Sequence, residues 1–197
     1  MLSAIIERLN EKRHDEIEEG VEADAGFTLI ELMVVLLIMA ILLAIAIPTF
    51  LGVKGGAQDR AAQSNLNTAL TNAKAVYGNN QTYGATTSAA VTSLSSAEAS
   101  LTFASGAASG NQNTIEVAMD ITGNGIMLVN KSAGGDCWGI MTNETTSQTG
   151  VGSSTWPNAT SAGTWYTSWN AGTGTCTTAT GYGPGVTWVA NSFPKAA

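Results

Sequence analysis

The side chains able to do covalent or metal chemistry are few in this 197-residue chain, and their spacing works against both. His14 is the only histidine, and it sits in an acidic stretch near the N-terminus. No imidazole is therefore at hand to activate a serine or cysteine nucleophile in the rest of the chain. From residue 27 onward the acids are Glu31, Asp59, Glu98, Glu116, Asp120, Asp136 and Glu144, scattered over more than a hundred positions. No P-loop or dinucleotide glycine pattern follows a strand. An enzyme is disfavoured, and no cofactor is implied. Cys137 and Cys176 are the remaining candidates. An even count in an exported domain favours one disulfide, with two free thiols or half a metal site as the other readings. No histidine or further cysteine is available to complete a tetrahedral metal site, so none is assigned.

The element that must position everything else is the run from Phe27 to Ile47, 21 residues interrupted by a single acid, Glu31. At about 1.5 Å per residue it makes roughly 31 Å of helix, close to the ~30 Å hydrocarbon core of a bilayer. Pro48 follows, then Gly52, Gly55 and Gly56. A proline lacks the backbone N–H and crowds the carbonyl four residues back, so a kink is expected at Pro48 to Gly52. From Ala57 the pattern turns amphipathic. Ala57, Ala61, Ala62, Leu66, Ala69, Leu70, Ala73, Val76 and Tyr77 recur at spacings of three and four, while Asp59, Arg60, Gln63, Asn67, Thr71 and Lys74 fall mostly off that stripe. Gly78-Asn79-Asn80 is the expected end. A helix over 27–77 would be roughly 75 Å long, which suits a membrane-spanning first half and a second half that packs under a sheet.

Residues 78–112 read as a surface connector rich in Ser, Thr, Ala and Gly, with Ser95-Ser96-Ala97-Glu98 as a capping box that could open a short helix. Strand signals follow at Thr114 to Met119, Ile126 to Val129 and Cys137 to Thr142, with weaker ones at Thr164 to Trp169 and Val186 to Ala190. Thr122-Gly123-Asn124-Gly125 predicts a type I′ hairpin turn. The expected fold is α+β: a long N-terminal helix packed on a small antiparallel sheet of about four strands. Trp156, Trp165 and Trp169 lie in the Gly/Ser/Thr-rich segment between the cysteines and read first as core or loop anchors, with a surface cluster for adhesion or carbohydrate as the alternative. Asn80, Asn130, Asn143 and Asn158 each open an N-x-S/T sequon, a frequent chance match in so Asn/Ser/Thr-rich a chain.

Gly26-Phe27-Thr28-Leu29-Ile30-Glu31-Leu32 heading the apolar run resembles the class III signal of type IV pilin precursors. The wording Ile47-Pro48-Thr49-Phe50-Leu51 and Ala57-Gln58-Asp59-Arg60-Ala61-Ala62 is most similar to Gram-positive bacterial versions. The resemblance covers about Gly26 to Tyr77. It implies four regions: a cytoplasmic leader over 1–26, a membrane and filament-core helix over 27–51, its amphipathic half over 52–77, and an exported head over 78–197. It further implies cutting between Gly26 and Phe27 by a membrane prepilin peptidase, N-methylation of Phe27, and filament assembly through Phe27, Thr28 and Glu31. Glu31 would meet the α-amino group of Phe27 in a neighbouring subunit. The partners so implied are identical subunits, the peptidase, the assembly machinery and, before assembly, membrane lipid. The precursor would sit in the cytoplasmic membrane and the product in a pilus at the cell surface.

Charge is uneven. The net −7 divides into −5 over residues 1–26 and −2 thereafter. No basic surplus points to nonspecific nucleic-acid binding. Arg8, Lys12 and Arg13 before the span and Lys54, Arg60 and Lys74 after it leave the positive-inside rule undecided, so orientation rests on the resemblance. The leader has no h-region, although Leu2, Ile5, Ile6 and Leu9 fall at helical spacing. A major pilin is the leading expectation. A minor pilin or a secretion or competence pseudopilin shares the same motif, and an adhesin merely anchored by the helix is the reading from a different class.

Overall fold

A computed structural model of the chain describes residues 26–106, 112–146, 161–170, 174–181 and 186–194. The leader helix, His14, Trp156 and the Asn158 sequon lie outside the described residues. Two units are distinguished, Met1–Thr49 and Phe50–Ala197.

Helix α1, Leu29–Asn80, includes Pro48 and the three glycines after it without a break in helical assignment. Thr49 donates its hydroxyl to Ala46 O at 2.9 Å and Ile45 O at 3.2 Å, one turn back. The helix ends three residues later than expected. Gly78 lies inside it, and Gln81 takes the left-handed conformation at φ 55°, its N–H donating to Tyr77 O at 2.7 Å. What stops the chain here is tertiary: Tyr83 is buried, and its N–H donates to Gly123 O at 2.9 Å. A glycine signal is a local preference, and burial of a large ring outweighs it.

Helix α2, Thr87–Ala97, occupies the expected connector. Its N-cap is Thr86, whose hydroxyl accepts from Ala89 N at 3.2 Å. Ser95-Ser96-Ala97-Glu98 therefore ends a helix instead of opening one. Glu98 terminates it, accepting from Ser100 N and Oγ and from Asn72. Ala90 and Leu94, four apart, turn inward to the core.

The sheet has six strands in chain order: β1 Thr102–Ser105, β2 Thr114–Met119, β3 Gly125–Lys131, β4 Asp136–Asn143, β5 Gly163–Asn170 and β6 Val189–Ala190. β1 goes beyond the strand signals, β6 falls at the end of the weaker Val186 to Ala190 signal, and β1 pairs parallel to β2, so the sheet is mixed. The other pairings are antiparallel, with Glu116 opposite Val129, Ile140 opposite Leu128 and Met141 opposite Trp165. The β2–β3 turn is not type I′, because Gly123 at φ 74° has positive φ and Asn124 does not. The Asp120 carboxylate organises the loop, accepting from Gly125 N at 2.7 Å, Thr122 N at 3.1 Å and the Thr122 hydroxyl.

The period-2 alternation splits the sheet into two faces, and both are buried. One carries Ile115, Val117, Met119, Ile126, Leu128, Trp138 and Ile140 and packs with Ala62, Leu66, Ala69, Leu70 and Ala73 of α1. The expected stripe is thus confirmed from Ala62 on, with Ala57 exposed and Ala61 half-buried. Phe193 seals this face edge-on between Trp138 and Tyr166 at 5.7 and 4.8 Å. The other face gathers Ala118, Met127, Val129, Met141 and the bonded pair Cys137–Cys176, with Trp165, Trp169 and Trp188 packed against them. These described tryptophans are anchors of that second core. Asn130 and Asn143 are fully enclosed at 0% and 1% exposure, which rules their sequons out as acceptors in the folded chain.

Glu116 points into the second core, 2% exposed, beneath the short helix α3, Thr178–Gly181. One oxygen accepts from Thr178 Oγ1 at 3.0 Å and the other has no partner. Burial pushes its carboxyl above the usual range, partly offset by the Thr178 hydrogen bonds. A raised folded pKa means stability present below the ordinary carboxylate value and lost as pH rises through the folded one. The midpoint of thermal unfolding should therefore fall as pH rises above the ordinary carboxylate value of 4.5. Glu116→Gln should flatten that slope, leaving the contribution of the same sign from Asp136. Equal slopes in the two proteins would exclude Glu116 as its source.

Candidate functional site

The acid-led start of α1 is built from local rules. Thr28 is the residue before the helix, and Glu31 lies three further on, the arrangement of a reciprocal capping box. Thr28 N donates to Glu31 Oε2 at 2.9 Å and Thr28 Oγ1 donates to the same oxygen at 2.7 Å. Glu31 N returns the contact, donating to Thr28 Oγ1 at 3.3 Å. A carboxylate at a helix N-terminus also meets the positive end of the macrodipole. Within one chain, then, Glu31 is already satisfied without any basic side chain. Thr28 stood in the sequence only as part of the signal; its spacing to Glu31 was the clue to this role.

Beyond the cap the helix surface is bare. Phe27, Leu29, Leu36, Phe50 and Val53 are 81, 73, 67, 69 and 73% exposed. The most apolar 18-residue window has a mean hydropathy of 3.1 and no buried share, so this is a transmembrane helix by length and composition. Added Cβ atoms at Gly52, Gly55 and Gly56 would meet nothing within 4 Å. Glycine inside a helix costs about 1 kcal/mol relative to alanine, and nothing in the chain itself recovers it here.

Among the described residues no three of His, Cys, Asp and Glu gather as metal ligands. Glu144 accepts from Tyr83 Oη at 2.5 Å, and burial first, then this carboxylate, pushes the phenol well above its ordinary value. That pair, with Tyr77 Oη donating to Asn124 at 2.9 Å, ties the end of α1 to the β2–β3 and β4 loops. Asp59 accepts from Trp138 Nε1 at 3.3 Å across the α1–sheet interface. The acids are thus put to structural use. Neither contact was visible in the sequence, since the partners lie 61 and 79 residues apart. Cys137 and Cys176 are joined, and no described cysteine is free.

Residues 23–47 match the family model described as the prokaryotic N-terminal methylation motif. No curated protein and no solved structure matches the chain. The matched segment contains Gly26, Phe27, the Thr28–Glu31 cap and most of the bare apolar helix. The chain thus carries a prokaryotic N-terminal methylation motif, a type IV prepilin signal, at the head of its apolar helix.

Proposed function

We propose that the chain is the major structural subunit of a type IV pilus. Prepilin peptidase cuts between Gly26 and Phe27, the new Phe27 amine is methylated, and the membrane holds the subunit by α1 until the assembly machinery moves it into a filament. The observation that carries this reading is the apolar surface from Phe27 to Val53, exposed all round in the single chain. In lipid that surface is content, and helix–helix association there is driven by close packing instead of the hydrophobic effect. The open glycines at 52, 55 and 56 supply places for another backbone to approach. Extraction therefore needs work from the machinery. The filament then replaces lipid around each helix with neighbouring helices, leaving the two-faced heads outside.

Mass spectrometry of filaments sheared from the cell surface tests this. The expected result is that the main component begins at N-methylated Phe27. Finding the chain there only in traces, or only in the membrane fraction, would transfer it to the minor-pilin or pseudopilin class.

A further inference from the structure

The head presents two unlike patches at opposite ends of its share of α1. At one end Gly56, Arg60 and Gln63 of α1 face Trp138, Phe193 and Pro194 across a groove of about 540 Å³. At the other end the β2–β3 loop packs on the last turns of α1, with Tyr83 N donating to Gly123 O and Tyr77 Oη to Asn124 Oδ1, both at 2.9 Å. From Arg60 to Tyr77 the helix rises about 25 Å.

The loop end carries an apolar knob. Ile121 is 68% exposed, and beyond Val53 the only other large apolar residue left exposed among the described ones is Val189. The loop around Ile121 is fixed, because Asp120 N donates to Gly125 O at 3.0 Å and the Asp120 carboxylate holds Thr122 and Gly125. Ile121 therefore stays outside both cores. The groove end has the shape and chemistry to receive it. Phe193 stands edge-on to Trp138 at its wall, and Phe193 and Pro194 are only half-buried. Gly56 follows the exposed Val53 by less than one helical turn, so the groove adjoins the apolar α1 surface that the pilus-subunit reading gives to neighbouring copies.

Charge is divided the same way. Arg60 is exposed at the groove, and neither it nor Lys54 has a hydrogen-bond or ion-pair partner among the described residues. With Lys131 these are three bases against Asp59 and Asp136 around Trp138. The loop end holds Asp120, Glu144 bonded to Tyr83, and Glu98 bonded to Asn72, three acids against Lys74 alone. Two different patches of opposite sign at the two ends of one body suit a heterologous, head-to-tail contact, which repeats without closing when its rotation does not close.

We propose that Ile121 of one copy seats in the groove beside Arg60 of the next copy, so that the heads are joined in one direction along the filament. The proposal rests on the pilus-subunit reading and adds to it which surfaces of the head meet. Groove and knob are unlike, so a pair of copies uses one of each and leaves one of each free for the next.

The test is a filament preparation from cells producing the full chain with Gln63→Cys and Ile121→Cys together, treated with a short bismaleimide crosslinker. The native cysteines are bonded, so only the introduced thiols react. A denaturing gel should show a ladder of dimers, trimers and longer chains from the double variant, and monomer from either single variant. Filaments that form yet leave the double variant monomeric overturn this contact and leave the pilus-subunit reading intact. Dimers from a single variant would mean that like meets like, and overturn it too. A wild-type chain absent from sheared filaments removes the pilus-subunit reading and this contact with it. Should the cysteine variant not assemble, a charge exchange decides. Ile121→Arg removes the knob and sets a cation against Arg60, and should cut filament yield at least about five-fold. Adding Arg60→Glu should recover about half of that loss or more. Wild-type yield from Ile121→Arg, or no recovery on adding Arg60→Glu, overturns the proposal.

Discussion

A chain carrying alanine at both Cys137 and Cys176 should unfold roughly 10–15 °C below the wild type. The bond closes a loop with a sequence separation of 39, worth about 4 kcal/mol in the chain-entropy model. The segment inside that loop is dominated by Gly, Ser, Thr and Asn, so the unfolded chain has much freedom for the crosslink to remove. Both sulfurs are fully buried against Ala118, Met127, Val129 and Met141. Their loss therefore also removes packing atoms from the second core. Among the described residues of its segment Cys176 alone joins that core, and it holds the stretch that delivers Thr178 to Glu116.

Reduction of the wild type should move its unfolding midpoint most of the way to that of the double variant, because the crosslink is the larger of the two effects. The untreated protein should titrate no free thiol under denaturing conditions. A double variant melting within about 3 °C of wild type would mean that packing alone secures this face.

What the sequence made legible follows the strength of the physical demand at each place. A bilayer requires about twenty apolar residues, so the run after Gly26 is unambiguous. Ile115, Val117 and Met119 alternate because one face of β2 meets α1, and the strand was readable for that reason. The same strand hides its other face. Glu116 reads as a solvent position by alternation yet is buried, because the disulfide and the tryptophans build a second core there. β1 is four residues long, and its register depends on a parallel partner, with Thr102 N also donating to Asn113 O. No local pattern announces such a strand. In the stretch from Thr86 to Glu98, serines and threonines offer caps at many positions, and burial of Ala90 and Leu94 chose among them. The signal residues Phe27, Thr28 and Glu31 were visible as a motif, while the reciprocal bonds between Thr28 and Glu31 needed coordinates.

Those bonds divide the role of Glu31 into two parts that can be measured separately. On the pilus-subunit reading, Glu31→Ala should still be cut after Gly26 and inserted, yet give at least about ten-fold fewer filaments, since an ammonium left unpaired in a filament core costs more than that factor. Glu31→Gln keeps an oxygen for Thr28, because glutamine serves in a capping box as glutamate does. It removes only the charge. If the carboxylate meets the Phe27 amine of a neighbouring subunit, glutamine should assemble nearly as poorly as alanine. Thr28→Val, which removes the hydroxyl and spares the charge, should cause a much smaller loss. Immunoblotting of sheared filaments against whole-cell precursor and mature protein reads all three. A glutamine variant at wild-type yield would show that the cap suffices and that no charge pair sets the register. An alanine variant at wild-type yield would remove Glu31 from assembly altogether. The cap and the pair are also in competition, because Glu31 Oε2 receives both Thr28 donors in the single chain. A subunit entering the filament must then share or exchange those donors for a stronger, charged one. On the pilus-subunit reading, capping keeps the acid tolerable in the membrane and the ammonium makes it directional at the point of assembly.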